Sequence, residues 1–140
     1  MRLYLDASVL VALLTDDPLS ARTDRFLRDS TPVLLLSDFA AAEFASAIAR
    51  RVRMGLYTAD AARTAFATLD AWAARSTERL GTVAADVSAA AAFVRRLDLP
   101  LRTPDALNIA IAQRSDAMLA TFDVQMAAAA RALGTVVAAA

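Results

Sequence analysis

The sequence predicts a single α/β domain with a short, mostly parallel sheet of about four to five strands. Short apolar runs, which are typical of buried strands, alternate along the chain with longer segments that repeat apolar residues at helical spacing. This alternation indicates a parallel sheet whose strands are connected by helices. The 140 residues contain no internal repeat and no linker, so we expect one domain over 1–140.

The predicted strands are short apolar runs bounded by polar residues. They lie at 2–5, 33–36, 80–83, 118–120 and 135–137. The first ends at Asp6, and the fourth is followed by Thr121 and Asp123. Because parallel sheets bind ligands at the carboxyl ends of their strands, both aspartates are candidate site residues.

The predicted helices lie between and after these strands, at 9–15, 18–29, 38–54, 58–75, 86–97, 104–115 and 124–133. Ser8 is the expected N-cap of the first, and Ser37 or Asp38 that of the third, because short polar side chains accept hydrogen bonds from a first helical turn. Pro18 suits the first turn of the second helix, and Gly55 closes the third.

The start of the sixth helix has the clearest local signal. Thr103 at the N-cap, Pro104 at the first helical position and Asp105 next together predict a helix that begins here. The seventh helix is rich in alanine, and Gly134 ends it.

The residue types that are absent exclude several mechanisms. The chain has no cysteine and no histidine, and all 15 of its basic residues are arginine. Serine–histidine catalysis, thiolate chemistry, cysteine-based zinc sites, Schiff-base chemistry and lysine-dependent phosphate loops all lack their central residue. The remaining carboxylates, hydroxyls, amides and guanidinium groups suit hard cations such as Mg²⁺ or Mn²⁺.

Composition and charge indicate a folded domain without a strong overall field. Hydrophobic residues make up 58% of the chain and charged residues 21%, which excludes a disordered segment. The formal net charge is +0, so overall charge does not indicate a nucleic-acid partner. No apolar stretch reaches the roughly 20 residues of a membrane span, and Asp6 interrupts the apolar segment 1–14. We therefore expect a cytoplasmic protein without membrane contact.

Four acidic residues are candidates for one site. Asp6 and Asp123 follow predicted strands, and Asp105 opens a helix. Glu43 lies among apolar residues with no arginine one turn away, so it must face solvent or a positive charge from elsewhere. Taken singly, each aspartate has a structural alternative as a turn or helix-cap residue.

Four motifs together resemble those of PIN-domain ribonucleases, specifically the small VapC-type toxins of bacterial toxin–antitoxin pairs. They are LYLDAS at 3–8, Ser37 with Glu43, RTPDALNIA at 102–110 and TFD at 121–123. They follow the family's order and span nearly the whole chain. The resemblance implies a three-layer α/β/α PIN-like fold.

The same resemblance implies the site and its chemistry. The metal-binding and catalytic acids would be Asp6, Glu43, Asp105 and Asp123. Ser8 and Thr121 would be supporting hydroxyls, while Asn108 stands where the family often has histidine or another polar residue, which leaves its supporting role open. The implied function is Mg²⁺- or Mn²⁺-dependent cleavage of single-stranded RNA by activated water, with a cognate antitoxin and a homodimeric assembly.

Electrostatics independently favours a metal at such a site. Two like charges 4 Å apart repel by about 4 kcal/mol at an effective dielectric constant of 20, so four carboxylates cannot converge without cations or protons. The alternative is a catalytically degenerate PIN fold that acts as a protein- or RNA-binding module. Haloacid-dehalogenase-type phosphatases and response-regulator receivers also place acids at strand ends, but they need a lysine that this chain lacks.

Three surface expectations complete the interpretation. Arg102, beside Asp105, is the candidate phosphate contact. Excess apolar area predicts a homodimer interface that includes Phe44, Ala62, Phe66, Leu69 and Trp72. A groove between the helices that begin at 38 and 58 is expected to hold an antitoxin segment, whose arginine or lysine would reach Asp6, Glu43 and Asp105.

Overall fold

A computed structural model describes residues 1–138 as a four-stranded sheet and seven helices. The last two residues of the predicted domain, 139–140, lie outside the described residues. The elements in chain order are β1 (Arg2–Leu5), α1 (Ala7–Leu14), α2 (Ser20–Ser30), β2 (Val33–Ser37), α3 (Asp38–Arg53), α4 (Ala59–Ser76), β3 (Glu78–Leu80), α5 (Ala84–Arg95), α6 (Thr103–Arg114), β4 (Met118–Ala120) and α7 (Val124–Ala132).

The sheet is wholly parallel, with strand order β3-β2-β1-β4. Central β1 pairs with both neighbours, and Leu3 lies opposite Leu34 on one side and Met118 on the other. Leu3, Tyr4 and Leu5 are all completely buried. Because helices cover both faces of such a sheet, its strands are continuous apolar runs rather than alternating ones, as the sequence indicated.

The connections between strands produce three layers. From β1 the chain moves to β2 and then to β3 in one direction across the sheet. It then returns past β2 and β1 and forms β4 at the opposite edge. Parallel crossovers are right-handed, so the helices of the first two connections cover one face and α5 and α6 cover the other. In agreement, α1 packs against α2, α3 and α4, while α5 packs against α6. The predicted three-layer α/β/α fold is confirmed.

Two of the predicted strands required correction. The third strand is Glu78–Leu80 and not 80–83. Leu80 pairs with Ser37, which is the last residue of β2 and the N-cap of α3. The pairing between β2 and β3 therefore ends at Leu80. The fifth, at 135–137, is only an isolated bridge between Val137 and Leu119. Leu119 N donates to Val136 O at 2.9 Å and Ala138 N donates to Leu119 O at 2.8 Å at this bridge.

Several helix starts also differ from the prediction. Asp6, not Ser8, caps α1, because its carboxylate accepts the N–H of Val9. Helix α2 begins at Ser20, two residues after Pro18, and α5 begins at Ala84. Helix α6 includes Thr103 and has Arg102 at its N-cap without a side-chain hydrogen bond, so Thr103 is not the cap. Of the two alternatives for α3, Ser37 is the N-cap.

The apolar surface expected to mediate self-association is mostly internal. Phe44, Ala62 and Leu69 are buried within the monomer core, and only Phe66 and Trp72 remain partly exposed. The interface prediction was therefore wrong for the three buried residues, since they already pack between the helices and the sheet.

Within residues 1–138, no helix is both long enough and apolar enough to cross a membrane.

Candidate functional site

Asp6 lies at the carboxyl end of β1 and is enclosed by hydrogen-bond donors. Its Oδ1 accepts from Ser8 Oγ at 2.6 Å and from Val9 N at 3.1 Å, and its Oδ2 accepts from Thr121 Oγ1 at 2.5 Å. The residue is 5% exposed. Burial raises the pKa of Asp6, while the bonds from Ser8, Thr121 and Val9 act in the opposite direction. A cation beside Asp6 would offset the cost of burying its charge.

Ser8 and Thr121 tie Asp6 to the loop between β4 and α7. Ser8 Oγ accepts the N–H of Phe122 at 2.9 Å, and Thr121 Oγ1 accepts that of Asp123 at 3.0 Å. Each hydroxyl thus donates to Asp6 and accepts from this loop. The supporting role predicted for both hydroxyls agrees with these contacts.

Asp123 is exposed at the start of α7, where its Oδ1 accepts the N–H of Met126 at 3.0 Å. It is therefore the N-cap of this helix, which was its structural alternative. One carboxylate can cap a helix and still present its second oxygen to a ligand, so capping and a site role are compatible.

Glu43 lies on α3, half-buried, and its partner is Asn108. Asn108 Nδ2 donates to Glu43 Oε1 at 2.7 Å. Burial raises the pKa of Glu43, the bond from Asn108 lowers it, and the charges of Asp6 and Asp105 raise it further. No arginine among the described residues forms an ion pair with Glu43. The side-chain hydrogen bond to Glu43 thus comes from a neutral amide.

Asp105 lies in the first turn of α6 and is partly buried. Burial raises the pKa of Asp105, the charge of Asp123 raises it further, and that of Arg102 lowers it. Helix N-termini favour negative charge, which stabilises a carboxylate at this position. Arg102 is exposed beside the site, as its proposed phosphate contact requires.

The fold brings the four predicted acids into one electrostatic neighbourhood. The charges of Asp6 and Asp105 raise the pKa of Glu43, and the charge of Asp123 raises the pKa of Asp105. Within the described part of the chain, however, no three acidic side chains form a group that could hold a metal ion as they stand. The donor set itself fits a hard divalent cation, because it consists of carboxylate oxygens alone.

One member of the site's hydrogen-bond network, Tyr4, was missed from the sequence. Tyr4 Oη lies 2.6 Å from both Ser37 Oγ and Asn108 Oδ1. A tyrosine inside a buried strand needs a polar partner for its hydroxyl, and this signal was available in the first motif. Its partner could not be read from the sequence, because Tyr4 and Asn108 are 104 residues apart.

A sequence model of the PIN domain matches residues 3–132. The chain belongs to the PIN domain family. No match was found among curated proteins.

Solved structures show the same fold. VapC20 of Mycobacterium tuberculosis, described as a sarcin–ricin loop cleaving toxin, has a TM-score of 0.73 and 21% identity over 91% of this chain and 94% of its own. VapBC2 of Rickettsia felis, bound to a DNA fragment from its promoter, has a TM-score of 0.72 and 16% identity over 99% and 98%. FitAcB of Neisseria gonorrhoeae has a TM-score of 0.68 and 19% identity over 96% and 95%.

Proposed function

We propose that this PIN domain protein is a metal-dependent endoribonuclease that cleaves single-stranded RNA and is the toxin of a toxin–antitoxin pair. The observation that carries the proposal is that Asp6 and Asp123 follow the adjacent parallel strands β1 and β4, while the charges of Asp6 and Asp105 raise the pKa of Glu43 and that of Asp123 raises the pKa of Asp105. The similarity of the fold to VapC20, a sarcin–ricin loop cleaving toxin, supports it.

Each acid has a role that follows from its surroundings. Asp6 is held by three donors and is the most rigid of the candidate ligands. Glu43 is oriented by Asn108, and Asp105 lies where a helix N-terminus stabilises its charge. When bound by these carboxylates, Mg²⁺ or Mn²⁺ supplies charge neutralisation and a water of lowered pKa for phosphodiester hydrolysis.

Arginines beside the acids support an RNA substrate. Arg102 is close enough to Asp105 to lower the pKa of that carboxyl group. A groove lined in part by Asp123 also contains Arg131 and the Phe122 ring. Guanidinium groups bind phosphate, and aromatic rings stack on bases, so both features suit single-stranded RNA.

The antitoxin is expected to bind a groove between α3 and α4. This groove is lined by Ala49, Val52, Arg53, Ala59, Ala62, Arg63 and Phe66. Its apolar floor suits an amphipathic peptide segment. A basic side chain of the same partner would neutralise Asp6, Glu43 and Asp105 in place of the cation, because guanidinium groups pair with carboxylates.

Cleavage of total RNA by the purified protein tests the proposal. We expect cleavage in Mg²⁺ or Mn²⁺, none in excess EDTA and none from Asp6→Asn, which preserves the shape of the side chain. Asp98→Asn is the matched control, because Asp98 is an exposed partner of Arg96 and should leave cleavage unchanged. Cleavage that persists in chelator contradicts metal dependence, whereas RNA binding without cleavage favours the binding-module alternative.

A further inference from the structure

A buried row of hydrogen bonds lies behind Glu43. Ser37 Oγ is 2.6 Å from Tyr4 Oη, Tyr4 Oη is 2.6 Å from Asn108 Oδ1, and Asn108 Nδ2 is 2.7 Å from Glu43 Oε1. Ser37 and Tyr4 are fully buried, and Asn108 is 2% exposed. The row connects β1, β2 and α6 to the candidate ligand on α3.

The hydrogens of this row all point the same way. An amide oxygen only accepts, so Tyr4 donates to Asn108 Oδ1. A tyrosine hydroxyl keeps its proton at neutral pH, so Tyr4 has one hydrogen to donate. With that proton committed, Tyr4 accepts from Ser37, whose oxygen accepts the N–H of Ala40 at 2.9 Å. The hydrogens therefore run from Ser37 through Tyr4 to Asn108 Oδ1.

The orientation of the Asn108 amide, on which this direction depends, is set by two groups that only accept hydrogen bonds. Its two Nδ2 hydrogens go to Glu43 Oε1 and to the carbonyl oxygen of Pro104, at 2.7 and 3.1 Å. A reversed amide would place Oδ1 against these two acceptors and turn Nδ2 toward the Tyr4 hydroxyl. Each of the two contacts between acceptor oxygens would leave a buried polar group unpaired, which costs about 1–3 kcal/mol.

We propose that Tyr4 acts through Asn108 to position the Glu43 carboxylate for the cation. The inference rests on the proposed function, in which Glu43 is a cation ligand. A neutral amide is suited to this task, because it orients the carboxylate without cancelling the negative charge that attracts the ion. Partners that orient metal ligands in this way typically contribute 10- to 100-fold to metal affinity.

The side-chain amide of Asn108 provides a direct spectroscopic test. Asn108 is the single asparagine of the chain, so labelling with ¹⁵N-asparagine gives one side-chain amide pair in an NMR spectrum. In the metal-free protein we expect slowly exchanging, shifted signals that move toward free-asparagine values in Tyr4→Phe. Tyr57→Phe is the matched control, because the other tyrosine bonds only to Arg51 and lies outside the row. Unchanged Asn108 signals in folded Tyr4→Phe overturn the proposal.

A double-mutant cycle then distinguishes positioning from a general structural role. Mn²⁺ affinity, measured by electron paramagnetic resonance, should fall at least tenfold in Tyr4→Phe and in Asn108→Ala. In the Asn108→Ala background, Tyr4→Phe should have no further effect, because its route to Glu43 is gone. Full additivity of the two changes in Mn²⁺ affinity contradicts the proposal that Tyr4 acts through Asn108.

Two further outcomes distinguish a failure of the proposed function from a failure of the proposed role of Tyr4. A wild-type protein that neither binds Mn²⁺ nor cleaves RNA overturns the proposed function. The Asn108 signals still test whether Tyr4 orients the Asn108 amide. If Tyr4→Phe fails to fold, Glu43→Gln replaces it, since the loss of the carboxylate charge should shift the Asn108 amide signals. Signals that do not respond to Glu43→Gln overturn the proposal.

Discussion

Thr121→Val is expected to destabilise the metal-free protein by about 2.5–4 kcal/mol. The change keeps the shape of the side chain and removes a hydroxyl that donates to Asp6 Oδ2 at 2.5 Å and accepts the N–H of Asp123 at 3.0 Å. A hydrogen bond to a charged group contributes about 1.5–3 kcal/mol and a neutral one about 1 kcal/mol, so their sum is the expected loss. Thr121 is 8% exposed, and water therefore replaces neither bond fully.

The measurement is urea unfolding at pH 7 without divalent cations, followed by far-ultraviolet circular dichroism. Thr77→Val is the matched control, because the Thr77 hydroxyl makes one neutral bond to the carbonyl of Ala73 at 2.9 Å. It should cost about 1 kcal/mol. RNA cleavage should fall about 10- to 100-fold in Thr121→Val and remain unchanged in Thr77→Val. Equal stability losses in the two variants would refute the role assigned to Thr121.

Three further predictions concern charge, substrate and assembly. Burial raises the pKa of Asp105 above its unfolded value of 3.8, so the metal-free protein should lose stability as pH rises above about 4. Asp105→Asn should flatten this loss in urea titrations. Arg102→Ala should raise KM for RNA, leave kcat nearly unchanged and reduce the salt slope of binding by about one. Trp72 is the single tryptophan, so dissociation of a homodimer on dilution should shift its fluorescence to the red, and a monomer at micromolar concentration in ultracentrifugation would contradict that assembly.

Local features of the sequence were sufficient to predict most of the fold. The apolar runs that became β1, β2 and β4 are buried on both faces, so continuous hydrophobicity identified them. Strand β3 was displaced in the prediction because its residues Glu78 and Arg79 are exposed at a sheet edge and carry no such pattern. The last predicted strand has suitable residues but only one bridge, since pairing depends on a partner edge that its own sequence does not encode.

The identity of the four acidic candidates also came from the sequence. Asp6 and Asp123 follow strands that end at the same edge of a parallel sheet, and this placement follows from topology alone. Asp105 was a candidate as an acid that opens a helix and Glu43 as an acid among apolar residues, and the family resemblance then joined the four into one predicted site. These are properties of short segments, in which neighbouring residues determine the structure.

Only the tertiary structure decided what surrounds each acid. It assigned Asn108 rather than an arginine to Glu43, and it connected Thr121 to Asp6 across 115 residues. It also buried Phe44 inside the monomer, where the sequence suggested an interface. Hydrogen-bond partners and burial depend on which distant segments fold against each other, and that contact is a property of the whole packed chain and not of any local pattern.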